Sequence, residues 1–244
     1  MNLTLNTNIC INALSFKPEI IIWHAKIPEI IKSICRKNTY HNSRPMVNQI
    51  FQKHDFDPAF LNSEEIKTVN GFKALKKQTE WFCGRYLIKE LLHTVFFKET
   101  PLSGITISHL EQGAPIVENM PDIPISISHS YDCTTTACSA DKTLTFGIDT
   151  EKIADKPDAW FLKTAFTQNE IEHLDDTADH IFKNWTIKEA YLKYIKKGFN
   201  ESLQKVEVIH NTIYHHGRKM DLDVSSQFLD GYVISLVSDK QHIK

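Results

Sequence analysis

Residues 182–199 read FKNWTIKEAYLKYIKKGF. Neither Pro nor Gly interrupts the run before Gly198. Trp185, Ala190, Leu192 and Ile195 supply apolar positions, so the stretch predicts a helix that Gly198 stops. Glu189 and Lys193 are four residues apart and share one helix face. Lys188 lies one residue away, turned around the axis by about 100°. By itself the Glu189–Lys193 spacing also suits a surface pair, which contributes only ~0.3–0.5 kcal/mol.

A second stretch upstream, FGIDTEKI at residues 146–153, reads as a strand. Side chains at i and i+2 share a strand face, so Asp149 and Glu151 point the same way. Two like charges side by side repel. A strand end entering solvent would tolerate them, and a bound divalent cation would remove the conflict. Carboxylate oxygens suit Mg²⁺, which keeps several waters and binds substrate phosphates as well. Glu189 offers a third carboxylate from the helix.

Taken together, Gly147-Ile148-Asp149-x-Glu151 and Trp185-Thr186-x-Lys188-Glu189-Ala190-x-x-Lys193 resemble the two signature motifs of the 4′-phosphopantetheinyl transferases. The likeness is to the larger monomeric type that activates nonribosomal peptide and polyketide synthases. It implies an α+β fold built as a pseudo-dimer: two similar α/β halves with the coenzyme site in the cleft between them. The first half would be residues 1–120, ending at Asn119-Met120-Pro121, and the second residues 121–244. It implies transfer of 4′-phosphopantetheine from coenzyme A to a serine of an apo acyl or peptidyl carrier protein. Asp149, Glu151 and Glu189 would hold Mg²⁺, or Mn²⁺. Lys193 would stabilise the leaving phosphate or donate a proton, and Glu189, or Glu151 through water, would take the serine proton. The sequence does not separate ligand from base among these acids.

Further stretches gain meaning from the same resemblance. Gly84-Arg85, inside an apolar helical run, would present a guanidinium to a coenzyme A phosphate, for which its bidentate fork is suited. Lys77 and Lys89 are further candidates, and either also fits a solvated helix face; Lys188 could support phosphate or shape its helix. Ile125-Ser126-Ile127-Ser128-His129-Ser130 resembles a family segment in which Ser128 and His129 would contact coenzyme phosphate; a strand-end hydrogen-bond cluster is the plainer alternative. Gln112-Gly113-Ala114-Pro115 resembles a Gly-Lys-Pro turn with Ala114 in place of the lysine. That departure is the one feature favouring a catalytically inactive coenzyme A-binding or carrier-docking module.

Composition sets the frame. The 244 residues carry a net charge of −2, which supplies no strong field for nucleic acid. The 5 cysteines include no CxxC pair, so neither a zinc ribbon nor a disulfide framework is expected, and Cys133 and Cys138 read as buried thiols. No long apolar run marks a membrane span or leader. The expectation is a cytoplasmic monomer with no nucleic-acid or membrane partner. Elsewhere the patterns predict a strand at 20–23, a short helix from Pro28 to Cys35, a loop over 41–45 and a helix start at Asn62 or Ser63. A strand at 104–107 follows, then a hairpin of 134–140 with 143–148 turning at Asp141-Lys142. One helix over 161–174 has Glu170 facing Thr167 as a capping box. Closing strands fill 203–237. His210, His215 and His216 read as loop or surface residues.

Overall fold

The computed structural model describes residues 2–4, 9–34 and 59–240. In chain order the strands are β1 Asn2–Thr4, β2 Cys10–Leu14, β3 Ile20–Lys26, β4 Ile107–His109, β5 Pro115–Val117, β6 Ile125–Ser130, β7 Cys133–Ser139 and β8 Phe146–Lys152. They continue with β9 Val206–Ile209, β10 Thr212–His215, β11 Arg218–Lys219, β12 Leu222–Leu229 and β13 Tyr232–Asp239. The helices are α1 Ile27–Ile34, α2 Ser63–Gly71, α3 Leu75–Val95, α4 Ala159–Ala165, α5 Gln168–His173 and α6 Ala178–Tyr194. The mixture of helix and sheet is the α+β class. The loop expected at 41–45 lies outside the described residues.

Two sheets dominate. One has the order β1-β2-β3-β7-β6, the other β12-β13-β8, and their strands pair antiparallel. Strands from both sides of Met120-Pro121 therefore share the first sheet. The 134–140/143–148 hairpin does not form. Asp141 ends β7 in a tight turn by accepting from Thr143 N at 2.9 Å, and Thr145 N donates to Asp239 Oδ2 at 2.6 Å. The chain is thereby handed to β13, and β8 joins the second sheet.

The sheets meet along a polar seam. Ser126, Ser128 and Ser130 share one face of β6. Their hydroxyls accept the N–H groups of Ile148, Thr150 and Lys152, each at 3.1 Å. The free edge of β8 is thus satisfied by side chains instead of a strand. Deeper in the seam, Thr150 Oγ1 bonds Thr135 Oγ1 at 2.6 Å, and Thr135 Oγ1 bonds His24 Nδ1 at 2.8 Å. Beside these groups Leu14, Ile20, Ile22, Ala137, Phe146, Ile148, Ile234 and Leu236 form an apolar cluster drawn from both sheets.

Each sheet carries a long helix. At Gly84 of α3 an added Cβ would sit 3.3 Å from Ile127 Cγ2, in the adjoining sheet. At Gly147 of β8 it would sit 2.1 Å from Ala190 O and 2.5 Å from Tyr194 N. Those are backbone atoms of α6, so only glycine lets this helix lie directly on the strand.

Both long helices anchor to a preceding short one in the same manner. Asn62 and Thr167 are N-caps, and Glu65 and Glu170 close their capping boxes. Lys89 of α3 bonds Glu65 Oε2 and, at 2.9 Å, Phe60 O. Lys188 of α6 bonds Glu170 Oε2 at 2.6 Å and Ala165 O at 2.8 Å. In each case the accepting carbonyl lies two residues before the N-cap, and both lysines are fully buried.

Other departures have local causes. The single helix predicted over 161–174 is two, α4 and α5, because Phe166 is extended and the Thr167–Glu170 box restarts the chain. Helix α6 ends at Tyr194, with Lys196 at φ +55°, so Gly198 falls in the following 3-10 turn instead of stopping the helix. The strand placed at 104–107 begins at Ile107, behind a 3-10 turn at Leu102–Gly104. Among the described residues no helix is long and apolar enough to cross a membrane.

Candidate active site

Strand β8 and helix α6 bring Asp149, Glu151, Glu189 and Lys193 together. Asp149 is 4% exposed; its Oδ1 accepts from Ser128 Oγ at 2.7 Å and from Lys193 Nζ at 2.8 Å. Glu151 accepts from Ser130 Oγ at 2.7 Å and from the Trp185 indole N–H at 3.3 Å. The Trp185 ring is held in turn against Phe161, at 5.3 Å between centroids. Phe166, a fully buried residue, joins the same apolar cluster.

The charge balance here is unfavourable as it stands. Burial, and then the charge of Asp149, push the Glu189 carboxyl up to about 8. Burial and the same aspartate also raise Glu151. Asp149 Oδ2 and Glu189 Oε1 are buried with no hydrogen-bond partner among the described residues. Unsatisfied buried oxygens of this kind cost ~1–3 kcal/mol each, more where charged. A hard divalent cation, taking oxygen ligands alone, would satisfy both and offset the repulsion, so the donor set fits such an ion.

A pocket opens beside this group. Its lining includes Trp81 and Arg85 of α3, His109 and Gly113 of the β4–β5 hairpin, and His129 of β6. The Arg85 guanidinium stacks over Trp81 at 4.7 Å and lies 3.7 Å from Glu65 Oε1. Its Nη1 is buried with no hydrogen-bond partner among the described residues. Burial lowers the arginine to about 10, and Glu65 opposes that shift. A buried guanidinium fork with an unused donor is suited to a phosphate. His129 stands at the rim, Nδ1 3.5 Å from Glu80 Oε2; desolvation and then Lys193 hold its imidazole low. Lys77 is exposed, 5.1 Å over the Phe72 ring, and its charge reaches His129.

The remaining predicted residues lie elsewhere. The ammonium groups of Lys89 and Lys188 are spent inside the protein on Glu65 and Glu170, as described above. Ser128 turns its hydroxyl to Asp149 and not to the pocket. Trp81, Glu80 and His109 were not singled out by the sequence. A helical aromatic one turn before an arginine was the available signal for Trp81.

Comparison with known proteins agrees with this geometry. Residues 145–237 match the model of the 4'-phosphopantetheinyl transferase superfamily. That span holds all three carboxylates and Lys193. A 4'-phosphopantetheinyl transferase of Bacillus subtilis is 29% identical over 110 residues, 43% of this chain and 48% of that protein. The 4'-phosphopantetheinyl transferase Sfp of Bacillus subtilis (strain 168) is 28% identical over 166 residues, 61% of this chain and 71% of its own length. The 4'-phosphopantetheinyl transferase gsp of Aneurinibacillus migulanus is 30% identical over 165 residues, 64% and 66% of the two chains. The chain thus spans about half the length of the first of these relatives and about two thirds of the others. With its motif residues gathered at one place and these relatives around it, the chain carries in residues 145–237 a region similar to the 4'-phosphopantetheinyl transferase superfamily.

Proposed function

We propose that the protein transfers 4′-phosphopantetheine from coenzyme A to a serine hydroxyl of an apo acyl or peptidyl carrier protein, in a Mg²⁺-dependent reaction. The observation that carries this reading is the convergence of three carboxylates and one ammonium group, two of the carboxylate oxygens lacking partners among the described residues, beside a pocket containing a buried arginine. Binding alone would not call for three acids at such cost.

Asp149, Glu151 and Glu189 would hold the metal, which when bound supplies charge neutralisation at the pyrophosphate. Arg85 takes a coenzyme phosphate, with His129 at the rim and Lys77, whose charge reaches His129, standing in for the lysine that Ala114 replaces. Lys89 and Lys188 have structural roles in this reading, and Ser128 positions Asp149. The serine oxygen forms a bond to the β-phosphorus of coenzyme A, and the bond from that phosphorus to the bridging oxygen breaks. The hydroxyl proton passes to Glu189, or to Glu151 through a water. 3′,5′-Adenosine bisphosphate leaves, its charge met by Lys193. Such transfers depend mostly on positioning and charge neutralisation.

The reading includes a pseudo-dimer with the coenzyme in the cleft between halves. Its support is the repeated capping box with a buried lysine, and the matching strand orders β6-β7-β3 and β12-β13-β8. The halves read as residues 1–120 and 121–244, and the repeated pattern would also allow a division between β7 and β8. The protein would act as a cytoplasmic monomer without a nucleic-acid or membrane partner.

Intact-protein mass spectrometry of apo-carrier proteins incubated with this protein, coenzyme A and Mg²⁺ tests the proposal. A gain of one phosphopantetheine group, abolished by EDTA, is expected. No gain on any carrier, with coenzyme A binding confirmed, would favour the inactive binding module.

A further inference from the structure

We propose that Glu201, His215 and His216 form a second metal site, of the zinc class, behind helix α6. Their ligand atoms lie within 4.8 Å of one another. Two imidazoles and a carboxylate are a borderline-soft set suited to Zn²⁺, unlike the all-oxygen group at Asp149. In the sequence these histidines read as loop or surface residues, because β9 and most of β10 separate Glu201 from them.

The local structure prepares each ligand. His215 ends β10, and His216-Gly217 turn the chain into β11 with φ of +51° and +72°. Positive φ at both central residues is the type I′ hairpin turn. The two imidazole rings stack at 4.6 Å with 27° between planes. Glu201 follows the 3-10 turn Gly198–Asn200 and is 7% exposed, its Oε1 accepting from Ser202 N at 3.1 Å.

His215 carries the strongest indication. Its Nδ1 bonds Tyr191 Oη at 2.8 Å, which orients the ring as the outer partner of a metal-binding histidine does. Its Nε2 is buried, has no hydrogen-bond partner among the described residues, and lies 3.5 Å from Glu201 Oε2. A ring nitrogen and a carboxylate oxygen facing each other at that distance leave room for a bridging cation. Lys197 Nζ, at 3.0 Å from Oε2, and Lys205 Nζ, at 3.5 Å from Oε1, now partner the acid. Both lysine side chains are about half exposed and can swing into solvent when a metal takes the oxygen. Tyr191 is two residues beyond Glu189 on α6, on another face. Zinc here would clip the 3-10 segment and β10 to the back of the helix that carries the candidate catalytic acid.

The test is zinc titration of the metal-stripped full chain against a chromophoric chelator, in saturating Mg²⁺. Magnesium occupies oxygen sites without competing for imidazole. One zinc per chain is expected, with a rise in Tm. His216→Asn keeps a residue tolerant of positive φ and should weaken zinc binding by at least ~10-fold. Lys197→Met removes the competing cation and should tighten it. No zinc uptake, uptake that His216→Asn leaves unchanged, or no gain in Lys197→Met would each overturn the assignment.

Discussion

Ser128 Oγ donates a 2.7 Å hydrogen bond to Asp149 Oδ1 across the seam between the two sheets. The same oxygen accepts the Thr150 N–H at 3.1 Å. One hydroxyl therefore both closes the edge of β8 and aims an acid of the candidate site. Ser128→Ala should leave that N–H unpaired and the acid less firmly held. A stability loss of ~1–3 kcal/mol is expected from denaturant unfolding, together with slower carrier modification. A variant as stable and as active as the parent would refute the double role.

Gly147 should prove intolerant for a reason unrelated to backbone torsion. Its missing Cβ is where the backbone of α6 passes. Gly147→Ala must push the helix, and Glu189 and Lys193 with it, away from Asp149. Overpacking of this kind costs ~1–3 kcal/mol or more, and displacement of about 1 Å at reacting groups can cost ~100-fold in rate. Circular dichroism melts and single-turnover carrier assays check the two effects separately.

Two lysines of α6 should behave differently. Lys188 is fully buried on Glu170, and burial lowers the lysine and raises the acid. Lys188→Met strands a buried carboxylate, so ~3–5 kcal/mol of stability should be lost. Lys193 is 28% exposed and bonds Asp149. Lys193→Met also takes a partner from the buried Asp149, so a smaller loss of ~1–3 kcal/mol is expected, together with loss of most transfer activity. Comparing melts and mass-spectrometric rates for the pair decides whether these roles are as distinct as their burial.

The part of this site that was legible in the sequence lay in short, periodic spacings. Asp149-x-Glu151 on a strand and Glu189-x-x-x-Lys193 on a helix each fix a shared face from local geometry alone. The Thr167–Glu170 capping box was legible for the same reason. What escaped depended on partners distant in the chain. Ser126, Ser128 and Ser130 read as a strand-end cluster, yet their partners lie about 20 residues on, in another sheet. The supposed 134–148 hairpin failed because Asp239, near the far end, captures Thr145. Lys89 and Lys188 looked like phosphate contacts because nothing local reveals Glu65 or Glu170 beneath them. His215 looked unremarkable until Tyr191 and Glu201 were placed around it.

The seam should also give the protein a measurable acid sensitivity through His24. This residue is 1% exposed, and burial, followed by the charge of Lys26, lowers its pKa from 6.5 to about 4. Thr150 donates to Thr135, whose oxygen shares a 2.8 Å hydrogen bond with His24 Nδ1. A protonated ring carries an N–H on both nitrogens, and Nε2 is buried with no hydrogen-bond partner among the described residues. The folded value lies below the unfolded one, so below pH 6.5 the unfolded chain binds the proton more readily. The stabilisation is therefore full above pH 6.5 and is lost as pH falls from there towards 4, at up to about 1.4 kcal/mol per pH unit. His24→Asn keeps an acceptor near the Nδ1 position and removes the titration. Urea unfolding of both proteins at closely spaced pH values should show their stability difference changing only within that window. A constant difference from pH 7 to pH 4 would mean that His24 takes up its proton without opening the seam.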